Sequence, residues 1–245
     1  SGVWWALRRA FPGAWPVTPA VLSLAAAVAE FGSSGLETLP AAACVTFAAF
    51  AVWNARWGLA GALVCIAALL RPDHALFFAP LGLAALAGGQ WRAALRVAPA
   101  GVVFTAFWCL RWRWYGDFYP NTYYLKSASL PYWEQGAVYV QEFLAATRLW
   151  WPVLTVGPLL WWASRRWRGE RTERHTPFFL FTLTSAALWM LYVARVGGDF
   201  MEFRFALTAL PLIAVTVEAA LLCLPAVPPT PRLAVVLCAL LPLAQ

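Results

Sequence analysis

The feature that most constrains this chain is a series of apolar runs, each close to the length of a helix that crosses a lipid bilayer. Hydrophobic residues make up 62% of the sequence and charged residues 12%, a composition far too apolar for an ordinary soluble domain. Suitable runs occupy residues 15–31, 38–53, 57–70, 75–89, 93–110, 149–163, 177–194, 205–224 and 233–245. We therefore predict an all-α, polytopic transmembrane bundle with about eight or nine membrane segments. The short third and fourth runs could instead form a tilted or re-entrant pair.

The whole chain, residues 1–245, is expected to be a single transmembrane domain. It opens on Ser1 without an initiating Met or a signal peptide, and it stops at Gln245 inside an apolar run. We therefore expect a piece of a longer membrane protein.

The basic residues indicate the orientation of the bundle. The densest basic stretch, at 165–175, is expected to stay in the cytoplasm, and counting segments outward places most of the acidic connections on the opposite face. The net charge of +7 then reflects membrane topology rather than a nucleic-acid partner. The five cysteines lie in or beside apolar segments and the two histidines lie far apart in the sequence, so no metal site is predicted.

One connection, the predicted external loop at 111–148, is much longer than the others. After Pro131 it contains a segment in which Trp133, Val140 and Phe143 fall near one face of a helix. We expect this helix to lie along the outer surface of the membrane.

Four polar motifs share the outer face under this topology: SGLET at 34–38, RPD at 71–73, YGDFYPNTYYLK at 115–126 and RVGGDFMEFR at 195–204. Ionisable groups at the edge of a membrane bundle are costly unless they are paired or reach water. Their convergence from four separate connections therefore predicts a polar cavity on that face.

The residue types of these motifs indicate the chemistry of the cavity. Arginine and lysine suit a phosphate, and the motifs supply Arg71, Lys126, Arg195 and Arg204. Carboxylates can bind sugar hydroxyls or deprotonate an acceptor hydroxyl, and the motifs supply Glu37, Asp73, Asp117 and Asp199. Gly198 permits close backbone approach to a ligand, and Asn121 follows Pro120 in a turn.

Each motif also has a purely structural interpretation. RPD is a common start of a helix, Glu37 could complement a helix dipole in the first turn, and Asp199 could cap the helix that follows. Two other functions fit the same residues: a transporter or flippase of a lipid-linked or anionic substrate, or a catalytically inactive membrane subunit. A transporter should show internal repeats and interrupted helices at the midplane, and we find no convincing repeat.

The order and spacing of the four motifs, over about residues 33–210, resemble polytopic bacterial glycosyltransferases of the GT-C superfamily, in particular terminal arabinofuranosyltransferases. The resemblance implies an inverting enzyme in the bacterial plasma membrane. Such an enzyme transfers a sugar from a polyprenyl-phosphate donor to a cell-envelope glycan or lipid acceptor on the extracytoplasmic face.

The resemblance also implies roles for individual residues. Substrate binding is expected from the following residues: Glu37, Arg71, Asp73, Asn121, Tyr124, Lys126, Gly198 and Arg204. The acidic residue that this superfamily usually carries in its first external loop has no counterpart here, so Asp117 and Asp199 are the fallback candidates for catalysis. No cofactor is predicted with certainty, and a divalent cation stays open.

Overall fold

The computed structural model describes residues 5–6, 9, 37–87, 91–119, 123–124, 130–147, 170–199 and 203–222. Within these ranges every regular element is helical, which confirms the all-α prediction for this part of the chain. The α-helices are α1 (Thr38–Trp53), α2 (Trp57–Leu70), α3 (Phe78–Ala87), α4 (Trp91–Tyr115), α5 (Trp133–Ala146), α6 (Glu170–Val196) and α7 (Ala209–Leu222). Two 3₁₀ helices, Pro72–Phe77 and Ala206–Thr208, precede α3 and α7.

The apolar runs that fall on described residues are largely helical, although the bounds of most helices differ from those of the runs. The runs 38–53 and 57–70 coincide with α1 and α2, and the runs 93–110 and 177–194 lie inside α4 and α6. The runs at 15–31, 149–163 and 233–245 lie outside the described residues.

Two helices are long and apolar enough to cross a membrane: Trp91–Tyr115, with 25 residues, and His175–Val196, with 22 residues. The helix α1 has 16 residues and α2 has 14. At about 1.5 Å per residue, helices of that length fall short of a hydrocarbon core roughly 30 Å thick. Length and composition therefore identify two membrane-capable helices among the described residues.

The core is built around α1, which contacts α2, α6 and α7. Small side chains allow this close approach, since Ala41, Ala48 and Ala49 of α1 are fully buried. The same principle acts between α2 and α4, where a Cβ added at Gly61 would lie 3.2 Å from the Cβ of Ala100. Close helix contacts at small residues are typical of membrane bundles.

The predicted long loop differs from the sequence interpretation at its start. Residues 111–115 belong to α4, because the helix continues to Tyr115 and ends before Gly116, whose φ is +79°. The predicted second helix of this region is present as α5, and it packs on α6 with Phe143 buried. Trp133, which was expected on the same face as Phe143, is exposed.

Candidate functional site

The RPD motif forms the first part of the site. Arg71 follows the end of α2 in an extended conformation, and Pro72 begins the 3₁₀ helix, a position where its missing N–H costs nothing. The Nη2 atom of Arg71 donates to Asp73 Oδ2 at 2.9 Å, and Nη1 donates to the hydroxyl of Thr38 at 3.2 Å. Glu37 is a looser partner, with its Oε1 atom 3.9 Å from Arg71 Nε and its side chain 45% exposed.

His74 extends this network into the core. Its Nδ1 atom lies 2.9 Å from Asp73 Oδ1, and its Nε2 atom lies 3.4 Å from the hydroxyl of Thr208. Burial by itself raises the pKa of the Asp73 carboxyl, but the His74 hydrogen bond and the charge of Arg71 together hold that pKa below its usual value. Burial lowers the pKa of His74 in spite of the nearby carboxylate. Asp73 is therefore ionised and His74 neutral near pH 7.

The GGDFMEFR motif forms the second part of the site. Asp199 and Arg204 make an ion pair in which the Asp199 side chain is only 2% exposed. Gly198 has a φ of +80°, and a Cβ added there would overlap the ring of Tyr139 from α5. Burial raises the pKa of the Tyr139 hydroxyl, which lies close to the Asp199 and Arg204 charges and to the backbone of Phe205.

The two motifs meet at the ring of Phe205. The guanidinium carbon of Arg71 lies 4.9 Å from the ring centroid, and that of Arg204 lies 5.5 Å from it. Both distances fall in the range of cation–π contact. The structure thus brings RPD and GGDFMEFR, which lie far apart in the sequence, to one aromatic side chain.

The described part of the YGDFYPNTYYLK motif lies apart from this cluster. Asp117 and Tyr124 are exposed, and within the described ranges neither makes a hydrogen bond or ion pair with Arg71 or Arg204. Arg111 holds the segment by donating to the carbonyl oxygens of Asp117 and Phe118, at 3.4 and 3.0 Å. The predicted site residues Asn121 and Lys126 lie outside the described residues.

Gly198 was predicted to let the backbone approach a ligand closely. In the structure the ring of Tyr139 fills the space beside Gly198, so the missing side chain makes room for another part of the protein. In the described parts of the chain, no three His, Cys, Asp or Glu side chains come together as a metal site.

Five residues of the cluster were not predicted from the sequence. They are Thr38, His74, Tyr139, Tyr192 and Phe205, of which Tyr192 lies with its hydroxyl against Asp73. Three of these carried a usable signal, because Thr38, His74 and Phe205 are part of a motif or directly follow one. Tyr139 and Tyr192 had no such signal in the sequence, since their partners are distant along the chain.

The described structure is thus an all-helical protein with two membrane-capable helices and two arginine–aspartate pairs joined at one ring. The chain is 34% identical over 157 residues to a protein of Corynebacterium glutamicum named terminal β-(1→2)-arabinofuranosyltransferase. It is also 34% identical over 171 residues to a Mycobacterium tuberculosis protein of the same name. The resemblance indicated by the motifs is confirmed.

These matches include 60% and 61% of this chain, but only 23% and 27% of the two relatives. The chain therefore spans about a quarter of the length of the curated relatives it matches. No family model matches the chain, and no solved structure does.

Proposed function

We propose that the chain belongs to the membrane domain of a glycosyltransferase that takes a sugar from a polyprenyl-phosphate donor and transfers it to a cell-envelope glycan or lipid. In this proposal the bundle crosses the bacterial plasma membrane with eight or nine segments, some of them short or tilted, and the site faces outward. The observation that carries the proposal is the meeting of Arg71 and Arg204 on Phe205. Two relatives with a transferase name support it.

The donor would bind at the joined arginines. A phosphodiester is a monoanion, and planar guanidinium groups bind phosphate oxygens in a directional way. Arg71 is held in place by Asp73 and Thr38, so it does not have to be ordered when the donor arrives. The Nε atom of Arg204 is buried and, within the described residues, makes no hydrogen bond, so this donor is the one that a ligand oxygen would satisfy. Gly198 would act on this site indirectly, because the ring of Tyr139 fills the space beside it.

Asp199 and Asp117 would act on different substrates, the donor sugar and the acceptor. Asp199 is buried against Arg204, a place suited to orienting the donor sugar through its hydroxyls. Asp117 is exposed, so it is accessible to an acceptor hydroxyl. In the reaction, the acceptor oxygen attacks the anomeric carbon as the bond to phosphate breaks, the proton passes to a carboxylate, and the configuration inverts.

Other predicted residues would complete the binding of both substrates. Glu37 is the loosely held partner of Arg71 and could turn toward a sugar hydroxyl. Tyr124 is exposed beside Tyr119 and Tyr123, and the proposal assigns it to substrate binding together with Asn121 and Lys126. No metal ion is assigned to the reaction, although a divalent cation is compatible with an acidic pocket.

The test is transfer of radiolabel from a panel of polyprenyl-phosphate sugars to membrane glycans by the full-length protein. We expect Asp199→Asn and Asp117→Asn each to lose transfer while the protein stays folded in detergent. Glu142→Gln is the matched control, because Glu142 is an exposed carboxylate on α5 outside the cluster. A wild type that binds the lipid donor but transfers nothing would point to a flippase or an inactive subunit.

A further inference from the structure

His74 is a buried titratable group for which the proposed chemistry has no role. The residue is 0% exposed, and the proposed reaction gives it no contact with either substrate. It nevertheless uses both ring nitrogens, with Nδ1 on Asp73 at 2.9 Å and Nε2 on Thr208 at 3.4 Å. A histidine with two specific partners in a core is a means of orienting one of them.

The partners fix which nitrogen carries the proton. Asp73 accepts a hydrogen bond from Arg71 on Oδ2, and its carboxylate can accept another on Oδ1 but donate none. The proton of neutral His74 therefore lies on Nδ1 and is donated to Asp73. The bare Nε2 atom accepts the hydroxyl hydrogen of Thr208.

The ring of His74 is also held by aromatic neighbours. It lies 5.4 Å from the ring of Phe77 and 4.6 Å from that of Trp189. Trp189 in turn donates its Nε1–H to the carbonyl oxygen of Phe205 at 2.6 Å. Phe205 is the residue whose ring both arginines contact. The packed rings of His74 and Trp189 therefore support both Asp73 and Phe205.

We infer that His74 is a positioning residue for the donor phosphate, acting through Asp73 on the guanidinium of Arg71. The inference rests on the proposed function, in which Arg71 binds the phosphate of the donor. His74 holds one oxygen of Asp73, which directs the other oxygen to Arg71 Nη2. Thr38 fixes Nη1, so the plane of the guanidinium is set from two sides.

The test compares two amide substitutions in the full-length protein. His74→Asn places its amide near the position of Nδ1 and keeps a donor for Asp73, whereas His74→Gln reaches the position of Nε2 and loses it. Because the guanidinium of Arg71 would lose one of the contacts that set its plane, and a lost charge-assisted hydrogen bond weakens binding, we expect His74→Gln to raise the KM for the donor by about tenfold or more. We expect the acceptor KM to stay unchanged and His74→Asn to restore most of the donor affinity.

Further outcomes separate positioning from simple packing. Both amides leave a similar cavity, so a merely structural role would lower the yield of folded protein equally and leave donor KM unchanged in the folded fraction. Thr208→Val, which removes the partner of Nε2, should affect donor KM less than His74→Gln does. Equal donor KM values in the Gln, Asn and wild-type proteins would overturn the inference.

The failure of the proposed function would look different. If wild type transfers sugar and Arg71→Lys raises the donor KM while the His74 variants match wild type, only the inference fails. If no sugar is transferred, binding of a polyprenyl monophosphate to the purified protein still tests the inference that His74 positions Arg71. Weaker binding by His74→Gln than by His74→Asn would support the inference, and equal binding, or none by wild type, would overturn it.

Discussion

The Arg71–Asp73 pair and the Arg204–Asp199 pair both contact Phe205, but different interactions hold them. Around Arg71 and Asp73, polar groups from several elements supply hydrogen bonds. Around Asp199, two glycines with positive φ pack against tyrosines: Gly197 against Tyr132, just before α5, and Gly198 against the ring of Tyr139 in α5. Removing a charge or a hydrogen-bond donor at the Arg71–Asp73 pair should therefore lower the stability of the protein. At the Arg204–Asp199 pair, adding a methyl group to Gly198 should do so.

The largest effect is expected from Arg71→Met. The substitution leaves the Asp73 carboxylate in a mostly buried place without its cation, and breaking a buried pair in this way costs about 3–5 kcal/mol. The double variant with Asp73→Leu should recover part of the lost stability, because an apolar replacement of both partners is often close to neutral but here leaves the Nδ1–H of His74 without its acceptor. Chemical unfolding in detergent measures both, and a single variant as stable as the double would contradict the comparison.

The next effect is expected from Gly198→Ala, which tests the second pair. An alanine at a φ of +80° is strained, and its Cβ would overlap the Tyr139 ring, so we expect a loss of about 1–3 kcal/mol. Gly82→Ala is the matched control, since nothing lies within 4 Å of an added Cβ there and alanine favours a helix by roughly 0.5–1 kcal/mol. Unfolding midpoints that fall equally in both variants would show that the Tyr139 contact does not matter.

The first pair and its partner His74 should make the stability of the protein depend on pH. The folded-state pKa of His74 is lowered by burial, so the unfolded chain, with a histidine pKa of about 6.5, binds the proton first. Stability is then lost as the pH falls below about 6.5. The lowered pKa of Asp73 adds a further loss only below about pH 4. Unfolding at pH 7, 6 and 5 should show a smaller slope in His74→Asn, and an unchanged slope would refute this assignment.

The smallest effect on stability is expected from Asp117→Asn, which lies outside both pairs. The side chain is exposed, so the change in unfolding free energy should stay within about 0.5 kcal/mol. Thermal unfolding of the purified variant measures it. A loss as large as that of Gly198→Ala would mean that the segment after α4 is packed into the site.

Much of the helical architecture could be predicted from local sequence. Apolar runs predicted α1 and α2 to the residue, because a helix in an apolar environment must satisfy its own backbone and ends where polar residues begin. The end of α4 was placed too early, since Trp112 and Tyr115 continue a helix as readily as they form a loop. The count of membrane segments stays a prediction.

The candidate site could be predicted only in part. The RPD and GGDFMEFR motifs were identified because charged residues beside apolar runs carry a free-energy cost unless they are paired or hydrated. Their partners on α5 and α6 could not be, as neither Tyr139 nor Tyr192 differs in its own sequence context from the other aromatic residues of a chain that has seven tyrosines and 16 tryptophans.

The sequence by itself determined that this chain is apolar and predicted that it is helical, with Arg71, Asp73, Asp199 and Arg204 among its candidate site residues. Only the tertiary structure decided that the two arginines share Phe205 and that His74 supports Asp73 from behind. The physical reason is one of range. Hydrophobic periodicity and the energetic cost of a charge beside an apolar run can be read from neighbouring residues in the sequence. A hydrogen bond or ring contact between distant residues depends on how separate helices pack.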